Sequence, residues 1–135
     1  MQQPKTPAQT QVATFLRVAD RDLATAETLA QHSPHLYESI GFSCQQAAEK
    51  YIKAGLLSHS LPAPFIHDLT SLATGLASHV AFDRDDVSAA TILTAFAVKW
   101  RYESDDAPDF AVADILALAY RFQRKLRPFA VAFIQ

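Results

Sequence analysis

Three features of this sequence predict an all-α fold, an antiparallel up-and-down four-helix bundle with one additional short helix. Apolar residues recur at the three- and four-residue spacing of helices along most of the chain. Glycine occurs only three times in 135 residues, whereas the strong helix formers Ala and Leu are abundant. Half of the residues are hydrophobic, enough for a core without disulfides or metal. This length suits one domain, with residues 1–8 expected as a disordered lead-in and residues 9–135 as a single helical domain.

The first helix is expected from about Gln9 to Gln31. Val12, Phe15, Leu16, Ala19, Leu23, Ala26, Leu29 and Ala30 form its apolar stripe, and Arg17, Asp20, Arg21, Asp22 and Glu27 its wet face. Ser33-Pro34 ends it. A second helix is expected from Pro34, a residue tolerated in a first turn, to Ser58 or Ser60. Its inward positions are Leu36, Ile40, Cys44, Ala47, Ala48, Tyr51, Ile52, Gly55 and Leu56. Leu61-Pro62-Ala63-Pro64 reads as a loop. A short helix follows to about Ser78, with Asp68 as N-cap and Leu69, Leu72, Ala73 and Leu76 inward. The acidic run Asp83 to Asp86 suits the start of a fourth helix, to about Tyr102. That helix carries Val87, Ala90, Ile92, Leu93, Phe96, Ala97 and Trp100. Ser104 to Pro108 breaks it, and a last helix from about Asp109 ends near Arg127-Pro128 or continues after a kink. The apolar tail Phe129 to Ile134 either packs on the bundle or covers a partner.

Composition narrows the function. Three glycines cannot supply a dinucleotide-binding or phosphate loop. A net charge of −2 and a pI near 6.2 argue against strong DNA binding by a monomer. The single Cys44 excludes an internal disulfide and a thiolate zinc cluster; it reads as a small buried residue. The N-terminus has no apolar signal region, and no window nears the ~20 apolar residues of a membrane span. A cytoplasmic setting is the expectation. The histidines give no metal set: His32 and His35 flank Pro34, while His59 and His79 lie near helix C-terminal ends. The acidic clusters lack calcium-loop spacing, so no cofactor or metal is expected.

The stretch Gln45-Gln46-Ala47-Ala48-Glu49-Lys50-Tyr51-Ile52-Lys53 carries the most chemistry. Gln46 and Lys50 share one helix face, as do Gln45, Glu49 and Lys53. Paired glutamine amides suit a neighbouring helix or a base edge; the plainer reading makes Glu49–Lys53 an ordinary surface pair. His67 either fixes a loop–helix junction or serves a ligand or interface. Arg121, Arg124, Lys125 and Arg127 suit the dipole of a helix C-terminus, or a phosphate-contacting patch when two copies meet.

The run QQAAEKYIKAGL, then His67-Asp68-Leu69 with Leu72, then Arg101-Tyr102, resembles the HEPN family (higher eukaryote and prokaryote nucleotide-binding domain) over about Val18 to Tyr120. The resemblance implies an up-and-down bundle that commonly dimerises, and in many bacterial members a minimal nucleotidyltransferase partner, sometimes as a toxin–antitoxin module. Ribonuclease members place an Arg and, four to six residues on, a His at the dimer interface. Here no histidine lies at that distance from Arg101 or any other arginine. The expected function is therefore a non-catalytic, self-associating subunit that partners a nucleotidyltransferase and contributes to nucleotide binding. Gln45, Gln46, Lys50, Lys53, His67, Arg101 and Tyr102 are the expected ligand or interface residues. The alternatives are a ribonuclease toxin using Arg101 with a displaced acid–base group and an oligomeric scaffold without ligand.

Overall fold

The computed structural model describes residues 3–102 and 110–135, with side chains described in the fourth helix through Ala97. Five helices and no strand occur among the described residues: α1 (Pro7–His32), α2 (Tyr37–Ser58), α3 (Leu69–Leu76), α4 (Arg84–Tyr102) and α5 (Val112–Ile134). The all-α class holds. Helices α1, α2 and α5 make the centre of the bundle, with α4 packed on α2 and α5 and the short α3 on α2 and α4. The expected break at 104–108 and helix start at Asp109 lie outside the described residues.

Helix α1 starts earlier than its periodicity suggests, so residues 7 and 8 are helical. The cause is a capping box: Thr6 Oγ1 accepts from the Gln9 backbone N–H, and Gln9 Oε1 accepts from the Thr6 N–H, with Pro7 in the first turn. Helix α2, by contrast, starts three residues later than expected. Leu36 N–H donates to Ser33 O, so Pro34 occupies the second position of a β-turn, which its fixed φ favours. Leu36 becomes the N-cap and is exposed rather than inward.

Helix α2 is buried along most of its length, including Gly41, Gln45, Glu49, Lys53 and Gly55. It is therefore the central element, and its small residues admit close neighbours. A Cβ at Gly41 would overlap the buried Phe96 ring of α4, and one at Gly55 would come within 3.1 Å of Leu76 Cδ2. Helix α2 closes with paired backbone bonds, Ser60 N–H to Leu57 O and Leu61 N–H to Leu56 O. Ser60 adopts the left-handed φ of 60° that this C-terminal motif needs.

Asp68 caps α3 as expected, accepting from Thr70 N–H and Ser71 Oγ. In α4, Asp83 and Asp86 cap reciprocally through each other's backbone N–H. Val87, expected inside, is 44% exposed, because the inward row runs Asp86, Ala89, Ala90, Leu93 and Phe96. Helix α5 continues through Pro128 to Ile134. The apolar tail holds it there: Ala130 is buried, Val131, Phe133 and Ile134 pack on the core, and Gln9 Nε2 donates to Phe133 O. Contacts of Gln9 with Phe133, Asp20 with Arg127 and Glu27 with Tyr120 make α1 and α5 antiparallel.

Gly41→Ala should destabilise the fold by about 1–3 kcal/mol despite better helix propensity, because a rigid buried ring fills the space. Thermal unfolding should show a midpoint several degrees lower. A double-mutant cycle with Phe96→Leu should show strong coupling.

Candidate functional site

The glutamine–lysine segment of α2 forms one continuous polar chain. Lys50 Nζ lies 3.2 Å from Asp22 Oδ2 of α1 and donates to Gln46 Oε1 at 2.7 Å. Gln46 Nε2 donates to Gln45 Oε1 at 2.7 Å. Gln45 Nε2 in turn donates to the backbone carbonyl of His67 at 3.0 Å and approaches Glu49 Oε1 at 3.4 Å. His67 Nδ1 meets the same Glu49 oxygen at 2.7 Å, and Lys53 Nζ stands 3.5 Å from the other.

Burial grades along this chain. Gln45 is fully buried, Glu49 4% exposed and Lys53 6%. The surface-pair reading of Glu49–Lys53 is thus corrected: the pair lies inside the bundle, because α2 is enclosed on nearly every side. Gln46 and Lys50 are half-buried, whereas the His67 side chain is 71% exposed. With Lys53 facing the Glu49 carboxylate, the His67 Nδ1 proton points at Glu49. The other ring nitrogen, Nε2, is directed away from that contact. A buried carboxylate orienting an exposed imidazole is an arrangement that suits proton exchange or ligand contact.

His67 also fixes the loop–helix junction, as its plainer role required, through both its carbonyl and its ring. The start of α3 is tied to α4 as well, by Leu69 N–H donating to Thr94 Oγ1 at 3.1 Å. Five of the seven expected site residues thus form one network: Gln45, Gln46, Lys50, Lys53 and His67. Arg101 and Tyr102 end α4, and their side chains lie outside the described residues.

Other polar groups are committed internally, which spacing alone did not reveal. Asp20, counted on the wet face of α1, accepts from Tyr51 Oη at 2.6 Å and from Arg127 Nε and a terminal guanidinium nitrogen at 3.1 and 2.9 Å. Burial raises its pKa, but the bonds from Arg127 and Tyr51 and the Arg127 charge outweigh this, leaving it below the ordinary 3.8. Arg121 lies within 4 Å of Asp83, Asp85 and Asp86. Lys125 pairs with the buried Asp86 and donates to Ala81 O. The dipole reading of these basic residues is corrected, since α5 runs on to Ile134 and places them mid-helix.

Cys44 is buried and free; burial and then the Glu27 charge push its thiol up to about 12, which makes it a poor nucleophile. His59 caps α2, its Nδ1 donating to Gly55 O at 2.7 Å, with its ring 5.2 Å from that of His79. No group of three or more His, Cys, Asp or Glu among the described residues is placed to hold a metal. No helix among them is long and apolar enough to cross a membrane.

Glu49→Ala would leave Lys53 buried without its counter-charge, and should cost about 3–5 kcal/mol. His67→Ala removes an exposed ring and should cost about 1 kcal/mol; urea unfolding of both variants checks the contrast. Asp20, with its lowered pKa, stabilises the fold above about pH 4, and this contribution is lost as pH falls through the lower folded-state value. The pair is more than a third exposed, so about 1 kcal/mol is expected near neutrality. Asp20→Asn should therefore lose about that much at pH 7 and far less below about pH 3, measured by denaturant titration at both.

The comparisons with known proteins agree with this fold. The HEPN domain model matches residues 12–125. The crystal structure of TT1696 from Thermus thermophilus superposes with a TM-score of 0.75 at 22% identity, covering 88% of this chain and 98% of that one. ST0689, described as an archaeal HEPN homologue, gives a TM-score of 0.67 at 23% identity, covering 88% and 97%. No curated protein matches. The family pattern reaches into all five helices, from Val12 to Lys125: this chain belongs to the HEPN domain family.

Proposed function

We propose that this HEPN chain is a non-catalytic binding subunit that self-associates and docks a minimal nucleotidyltransferase, contributing to a nucleotide site in a cytoplasmic, toxin–antitoxin-like module. The observation that carries this reading is the polar chain of α2 ending in a held, exposed imidazole. Gln45 and Lys53 are enclosed and act by positioning Glu49 and His67. Gln46, Lys50 and His67 keep accessible surface and would meet phosphate, base edge or partner backbone. Arg101 would add a cation and Tyr102 a stacking ring. The absence of a histidine four to six residues after any arginine supports the non-catalytic side.

A second reading draws support from the Glu49–His67 contact of 2.7 Å. His67 would be the displaced acid–base group of an atypical ribonuclease that uses Arg101 as its cation. An oligomeric scaffold without ligand is the third.

Light scattering of the purified protein should give a mass above the monomer, and the product of an adjacent nucleotidyltransferase gene should co-elute. Nucleotide at about a hundred times its Kd should raise stability by about 2.7 kcal/mol, seen as a higher melting temperature. A strict monomer that binds neither ATP nor that protein would remove the proposal. RNA cleavage that vanishes in both Arg101→Ala and His67→Ala, with the fold kept, would establish the ribonuclease instead. An oligomer whose melting temperature ignores nucleotide would leave the scaffold.

A further inference from the structure

Two histidines outside the α2 network, His59 and His79, meet where α2 and α3 end. His59 directly follows α2, and His79 stands three residues beyond α3. Their ring centres are 5.2 Å apart, with the planes at 60°. The His59 ring also packs 4.9 Å from that of Phe129 on α5, which gives the pair one apolar wall. His59 is half-buried and His79 exposed, so the pair is reachable from solvent.

The bonds around these rings suit a metal ligand. The Nδ1 of His59 lies 2.7 Å from the carbonyl oxygen of Gly55. A carbonyl only accepts, so the proton is on Nδ1, and the neutral ring carries its lone pair on Nε2. A backbone carbonyl that fixes the tautomer in this way is the usual outer support of a metal-bound imidazole. The Nδ1 of His79 lies 3.0 Å from Ser78 Oγ, a hydroxyl that can accept and so leave the second Nε2 lone pair available. Two imidazoles on one tetrahedral zinc, with bonds of about 2.0–2.1 Å, have ring centres about 5 Å apart. Rotation about each metal–nitrogen bond admits a 60° angle between the planes. The exposed His79 side chain is also able to turn towards the ion.

The local field favours a cation as well. The C-terminal ends of α2 and α3 carry partial negative charge, and neither helix has a basic residue in its last turn. We infer that His59 and His79 together hold one borderline divalent metal ion, of the zinc class that imidazole prefers, through their Nε2 atoms. Two protein ligands leave the remaining positions to water or to a donor from a bound molecule. Metal here would clamp the end of α3 to the end of α2. The start of α3 is already tied to α2 through His67 and Glu49, so both ends of the short helix would be fixed by imidazoles.

The test uses the whole chain, stripped with chelator and titrated with Zn²⁺ alone. Calorimetry should show one ion per chain, and Zn²⁺ should raise the melting temperature. The imidazole NMR signals of two histidines should shift and those of the other three stay. His79→Ala removes an exposed ring and leaves the core in place; His59→Gln removes the other ligand and keeps an amide donor near Gly55. Each should lower the Zn²⁺ affinity at least about tenfold, with the fold checked by circular dichroism, whereas His35→Ala should leave it unchanged. No Zn²⁺ binding by the wild type overturns the site, as does binding that both variants keep. A loss confined to one variant overturns the sharing of the ion between the two rings.

Discussion

A single buried carboxylate, that of Glu49, organises much of this protein. Three donors converge on it: Gln45 and Lys53 from the same helix, and His67 from the loop that follows. Desolvating a carboxylate costs several kcal/mol unless its oxygens are occupied, so the three partners are mutually required. Their convergence pins the loop between α2 and α3 to the middle of α2. It also holds the His67 ring against Glu49.

The same demand for internal pairing shapes the rest of the bundle. Asp86 occupies an inward position of α4 because Lys125 and Arg121 reach it from α5. Asp20 is held between Tyr51 and Arg127, which joins α1, α2 and α5 at one point. These contacts take up the charge of Arg121, Lys125 and Arg127, leaving Arg124 as the exposed member of that basic group. A phosphate-binding role drawn from raw charge on α5 is correspondingly weakened. Gln46, Lys50 and His67 keep some accessible polar surface of their own.

Membership in the HEPN family and the geometry of α2 bear on different questions. The family match concerns descent and fold, and the solved relatives, at 22% and 23% identity, speak for the fold. The proposed site rests instead on particular atoms, among them the Nε2 of His67. The motif residues divide accordingly, with Gln45, Glu49 and Lys53 holding the arrangement and Gln46, Lys50 and His67 offering accessible surface.

By itself the sequence determined the helical class, the order of the helices and most of the core, because amphipathic periodicity and caps such as Asp68 and Asp83 are local signals. Local context failed where a side-chain bond decided a boundary, as at Thr6, and where a turn did so, as at Ser33–Leu36. The QQAAEK motif was legible as a motif, and its residues were correctly grouped by helix face. That Glu49 and Lys53 lie inside the bundle was not legible, since their spacing also fits a solvated pair and only the enclosure of α2 removes the water. Likewise, Asp86 takes the inward place that Val87 was expected to fill because Lys125, 39 residues away, supplies its partner. Charge pairs that bridge distant segments leave no periodic trace; only the tertiary structure brings them together.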